Sequence, residues 1–167
     1  MYFLLNEYIM KKISSVLLLL FFISTTIFAQ KQLKSFEDLM TSLNSGKQVR
    51  MVAFYKKCKL ISDNEEQEKV PDAIGGMNLG VYEYFAKEAV KNKLAFVVFS
   101  ESKLIKYPKG DGFVYNYVKI KVTEDNKVKI TAQYLDAKTF DIKMDENFFG
   151  EINDGKNDKG ISFFEID

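Results

Sequence analysis

The chain has 167 residues, with 24 Lys and Arg against 23 Asp and Glu, no histidine, no tryptophan and one cysteine. Without histidine it lacks the side chain that most often does acid–base work near neutral pH and is the commonest zinc or copper ligand. A single thiol excludes an internal disulfide and any multi-thiolate metal site, and a composition 47% hydrophobic and 28% charged is that of a folded chain rather than a disordered one.

The first 29 residues read as an export signal. Lys11 and Lys12 precede the apolar run Val16–Ile23, and Ser24, Thr25 and Thr26 lead to Ala29. This is a positive n-region, an apolar h-region and a small residue at the cleavage point. Cleavage is expected after Ala29, and Met10-Lys11-Lys12 reads as the start of translation. The run Ile13–Phe28 is shorter than the ~20 apolar residues of a membrane span, and no cysteine lies near the cleavage point to carry a lipid. The expected product is exported, periplasmic or secreted, without a stable membrane anchor after cleavage. Lys11, Lys12 and Glu7 go with the signal, so residues 30–167 keep 22 basic and 22 acidic residues. Balanced charge gives no electrostatic basis for binding nucleic acid or an anionic membrane. The 138 residues suffice for one core, and no break in composition divides them, so a single β-rich domain is expected over 30–167.

Ser35-Phe-Glu-Asp38 opens a short helix: Ser35 caps it, and Glu37 and Asp38 suit the positive end of its dipole. Phe36, Leu39, Met40 and Leu43 fall at i, i+3, i+4 and i+7 and make one apolar stripe. Gly46 ends the helix. About two and a half turns are not stable alone, so the stripe must dock on the rest of the chain, over one face or into one end. Gln48–Tyr55 is rich in β formers. Ser62–Pro71 is acidic and reads as an exposed loop. Ile74–Phe85 carries three glycines, the mark of a bulge, a bend or a close approach of another group. Leu94–Phe99 is a dense apolar strand, continued or paired by Ser100–Lys106, and Tyr107–Gly112 is a turn. Phe113–Val122 and Val128–Tyr134 flank Glu124–Lys127 as a hairpin. In its first strand Val114, Val118, Ile120 and Val122 share one face, and Phe113, Tyr115, Tyr117, Lys119 and Lys121 the other. Such clean alternation means one buried and one wet face. Phe140, Ile142 and Met144 continue the pattern, followed by Phe148–Ile152, a polar loop over Asn153–Gly160, and a last strand over Ile161–Ile166. The fold class is mainly β (α+β), one short N-terminal helix packed on a long antiparallel meander. A meander this long is expected to close, or nearly close, into a barrel, because closure removes its edges.

No motif carries obvious chemistry, and no catalytic residue, metal ligand or cofactor is expected. Cys58 stands among Lys56, Lys57 and Lys59, which lowers a thiol pKa, yet there is no histidine to serve as base, and an inert packed thiol is the simpler reading. Asp154–Asp158 is superficially a calcium loop, but Lys156 places a cation where a ligand belongs. Gly75-Gly76 lacks the Lys-Ser/Thr of a phosphate loop. The unusual feature is 15 Phe and 9 Tyr. Tyr82 and Tyr84 share a face, as do Phe113, Tyr115 and Tyr117. They either fill the core or form a contact surface, since aromatics with polar tips favour interfaces. Asn116 sits on the aliphatic face of its strand and either bonds a bulged backbone or lines a cavity.

The helix over Ser35–Leu43, Ser45-Gly46-Lys-Gln-Val-Arg50, the strand that follows and Tyr55-Lys-Lys-Cys58 resemble the opening of the VirK family of exported bacterial proteins. Gly75-Gly76, Leu94–Phe99 and the hairpin around Asp125 are compatible with it. The resemblance implies an exported protein, some of whose relatives are associated with virulence in plant pathogens. It supplies no catalytic residue. The family's pattern has a second cysteine late in the chain, and here Phe148–Glu151 has none.

The leading expectation is a non-enzymatic exported binding protein whose contacts are drawn from Tyr82, Tyr84, Phe113, Tyr115, Tyr117 and Asn116, and whose partner is a small apolar ligand or another protein. One alternative is a structural or interaction module of the cell envelope with a filled core. Another is a hydrolase working through carboxylates such as Glu83, Glu101 or Asp145, since carboxylate pairs do such chemistry without histidine.

Overall fold

The computed structural model describes residues 30–62 and 64–166, so the signal expected over 1–29 lies outside the described residues. In chain order the elements are β1 (Gln32–Leu33), α1 (Phe36–Asn44), β2 (Gln48–Phe54), a 3-10 turn at Tyr55–Lys57, β3 (Lys59–Ser62), β4 (Glu65–Gln67), β5 (Ile74–Leu79), β6 (Tyr82–Phe85), β7 (Phe96–Lys106), β8 (Phe113–Thr123), β9 (Lys127–Asp136), β10 (Ile142–Glu151) and β11 (Ile161–Ile166). They form two antiparallel sheets, a small one in the order β1-β11-β2-β5 and a large one in the order β4-β3-β10-β9-β8-β7-β6. The described residues are mainly β with one short helix, as the patterning predicts.

The expected barrel is not formed: neither sheet closes on itself. Only β6 to β10 run as a meander. Elsewhere the chain changes sheet four times, from β2 to β3, from β4 to β5, through Gly80-Val81 from β5 to β6, and from β10 to β11. Alternation shows which face of a strand is buried but not which sheet holds it. The large sheet buries its inner face against the small one, so closure is not needed to make a core. One cluster spans both: Val49, Met51, Ala53, Met77, Leu79, Ile161 and Phe163 from the small sheet, and Val97, Phe99, Ile120, Val122, Val128, Ile130 and Phe148 from the large one.

The helix plugs one end of this sandwich. Ser35 Oγ accepts the Asp38 N–H at 3.1 Å, and Gly46 takes φ +76° where the helix stops. Phe36, Leu39, Met40 and Leu43 are all buried in the common core. Both sheets hold the helix: Ser42 Oγ donates to Glu165 in β11, the Phe36 N–H donates to Asn126 Oδ1 in the β8–β9 turn, and the Tyr82 hydroxyl reaches the Leu43 carbonyl at 3.4 Å.

The other end is open. Strands β7 to β10 have 10 or 11 residues, against six or seven in β2, β5 and β11. The large sheet therefore extends past the small one, and its far end has two partly uncovered faces. Two local readings also change. Ser62–Pro71 is not simply a loop, because Glu65–Gln67 within it form β4, which pairs with β3 just before it as a short hairpin. Ile142 and Met144 do not share a face: a bulge between them sets Ile142 opposite Leu135 and Met144 opposite Tyr134.

Candidate functional site

Cross-strand register assigns every side chain at the open end to a face. On the inner face Glu101, Val118, Ala132 and Glu146 form one row, and Lys103, Asn116, Tyr134 and Met144 the next. On the outer face Leu104, Tyr115, Leu135 and Ile142 are consecutive partners across β7, β8, β9 and β10. Three interstrand spacings make this apolar row ~14 Å wide.

The outer row is exposed at its two ends and half-buried at Tyr115 and Leu135. Leu104 is 55% exposed, Ile142 57% and Phe113, two residues before Tyr115 on the same face of β8, 61%. Phe140, at φ +62° in the β9–β10 turn and 62% exposed, stacks parallel on Tyr115 with ring centroids 6.0 Å apart. That ring partly covers Tyr115, and Tyr115 and Tyr117 are both half-buried. The aliphatic side is inside, as alternation predicts: Val114, Ile120 and Val122 are buried, and Val118 packs on the core. Nearer the helix the same outer face turns basic. Lys121 stands directly opposite Lys129, with its Nζ 3.9 Å from the Phe96 ring centroid, and Lys129 lies 5.4 Å from that of Phe149.

The inner face of the open end forms a cleft of about 190 Å3. Met51, Tyr55, Gly75, Gly76 and Met77 line one wall, and Glu101, Lys103, Asn116 and Val118 the other. Asn116 thus lines a cavity. Gly75 has to lack a side chain: a Cβ there would stand 2.5 Å from the Tyr55 hydroxyl. The Tyr55 ring also packs on Phe148, with centroids 4.5 Å apart. Burial first, then the charges of Cys58 and Glu146, push the Tyr55 phenol above its ordinary range. Lys103 Nζ and Glu101 Oε1 pair at 2.9 Å beside the cleft.

The six residues singled out in the sequence therefore fall in three places. Phe113, Tyr115 and Tyr117 lie on the outer face, and Asn116 in the cleft behind them. Tyr82 and Tyr84 lie at the opposite, helix-plugged end. There Tyr82 packs at 6.0 Å from the Phe99 ring, and Tyr84 is half exposed beside Phe36 and Met40. The three carboxylates do not gather: Glu101 faces inward, whereas Glu83, opposite Val98, and Asp145, opposite Gln133, face outward. Sequence patterning missed Leu104, Leu135, Phe140 and Ile142. Each is an ordinary apolar residue until register sets it beside Tyr115.

The architecture is thus an antiparallel two-sheet sandwich, plugged by a helix at one end and open at the other. The model of the family described as VirK protein matches residues 32–140, and the chain belongs to the VirK family. A crystal structure of a VirK family protein from Legionella pneumophila has a similar fold, with a TM-score of 0.60 at 17% identity, over 80% of this chain and 98% of that one. No curated protein matches.

Proposed function

We propose that the protein is an exported, non-enzymatic binding protein whose contact surface is the outer face of the large sheet at its open end, and that its partner is another protein. The observation that carries this reading is the row Leu104–Tyr115–Leu135–Ile142, with Phe113 and Phe140 projecting beside it. A monomer rarely leaves so many adjacent apolar side chains uncovered without a use. A rim of Lys106, Ser102, Gln133 and Asp141 gives the patch the polar border of a protein interface. A small apolar ligand is less well served, since the sandwich has no closed lumen and the cleft behind Asn116 is small and carries an ion pair. Export is supported by Lys11, Lys12, the apolar run and Ala29.

The test is the double variant Leu104→Lys/Ile142→Lys. In extracts of the producing cell the native protein should elute from size exclusion in a complex larger than its own mass, and the variant should elute as a monomer with an unchanged melting curve. Monomeric elution of the native protein, or a complex that survives both substitutions, would overturn the reading. A larger species that persists when the pure protein is run alone would make the partner a second copy of the chain.

A further inference from the structure

The two sheets have four edges, and three are guarded. β1 is two residues long, β4 is three with Glu65 and Glu66, and β6 is four with Glu83. Short strands and charges are the ordinary protection against unwanted pairing. The fourth edge, β5, is six residues, Ile74-Gly-Gly-Met-Asn-Leu79, with no charge and no proline. It pairs with β2 on one side, and among the described residues no backbone group bonds its other side. Ile74 at its start is 67% exposed.

Two further features lie along this edge. A depression flanks each end: the cleft of about 190 Å3 beside Gly75, Gly76 and Met77, and another of about 370 Å3 beside Asn78, Leu79 and Gly80. The two depressions are separate, one at each end of the strand. Arg50 of β2 lies diagonally over β5, its Nη2 3.6 Å from where a Gly76 Cβ would stand. The missing side chain lets the guanidinium reach toward the free edge, and among the described residues Arg50 has no carboxylate partner.

We infer that β5 accepts an extended peptide of a partner protein as a fifth strand of the small sheet, with a carboxylate side chain of that peptide meeting Arg50. An added strand pairs a whole row of free amides and carbonyls at once, and its alternate side chains can enter the depressions at either end of β5. Arg50 selects for an acidic residue on the outer side of the added strand, where its fork takes a carboxylate through two parallel bonds. On the inner side the added strand faces Glu101, Lys103 and Asn116, whose amide both donates and accepts. This edge is separate from the outer face of the large sheet, and the two surfaces stand or fall independently.

The experiment selects a random seven-residue peptide library, displayed on phage, against the full chain. Amide hydrogen exchange and fluorescence anisotropy then follow the tightest peptide. The peptide should carry an Asp or Glu and protect amides within Ile74–Leu79. N-methylation of its alternate amides should weaken binding at least tenfold, and so should Arg50→Glu, with Arg50→Gln intermediate. The Leu104→Lys/Ile142→Lys variant should bind it unchanged. Failure to recover a peptide, binding indifferent to N-methylation, or protection confined to β7 to β10 would each overturn the inference. So would protection of β5 by self-association without peptide, which would make a second copy the occupant.

Discussion

Cys58 shows what position does to a reactive group. Three lysines surround it in sequence, but the thiol is buried, its Sγ lies 3.7 Å from the Phe54 carbonyl, and burial pushes its pKa up rather than down. Iodoacetamide at pH 8 should therefore modify the native protein at least tenfold more slowly than the denatured one, read by mass spectrometry; equal rates would mean an accessible thiolate. Glu165 is the opposite case. The Ser42 hydroxyl donates to it at 2.9 Å, Lys31 and Lys47 stand at 3.4 Å, and these partners hold its carboxyl below the usual glutamate range. A depressed folded pKa stabilises above the unfolded value, ~4.3, and that stability is lost as pH falls through the folded value. Glu165→Gln should thus lower the melting temperature at pH 7, and the gap to the native protein should narrow between about pH 5 and pH 3. A gap constant with pH would show that the carboxylate charge contributes nothing.

Among elements, α1 was fully legible: its Ser35 cap, its acidic first turn, its Gly46 stop and its four-residue stripe are all local signals. What the helix docks on was only partly legible: β1 and β2 flank it in sequence, but Tyr82, Asn126 and Glu165, which also hold it, are distant. Leu39 is fully buried, so Leu39→Ala should cost ~2–5 kcal/mol in denaturant unfolding; a loss under about 0.5 kcal/mol, the range of surface substitutions, would mean the helix does not plug the sandwich. The β8–β9 hairpin was equally readable, since alternation and a polar turn need no tertiary information. β10 was not. Phe140, Ile142 and Met144 alternate in sequence, but the bulge moves Ile142 outward, and nothing in the residue pattern marks it. That displacement is what completes the apolar row beside Tyr115. The glycines of Ile74–Phe85 mark a bulge, a bend or a close approach; the Tyr55 ring against Gly75 is the close approach, and Gly80 sits at the corner between the sheets.

For the whole molecule, the sequence revealed strands and faces but not how many sheets share them. Alternation is the same in a barrel wall and a sandwich leaf. The difference lies in crossings such as Gly80-Val81, and in the unequal strand lengths that leave the large sheet overhanging. That overhang gives the protein both its outer apolar face and the cleft around Asn116. The outer face is the contact surface proposed for this VirK family protein. The most direct test places the photo-crosslinker p-benzoylphenylalanine at Tyr115 in the producing cell, with Lys156 in the polar loop as control. Irradiation should give a discrete adduct to another protein from position 115 and none from 156, whereas no adduct from 115, or the same adduct from both, would contradict it.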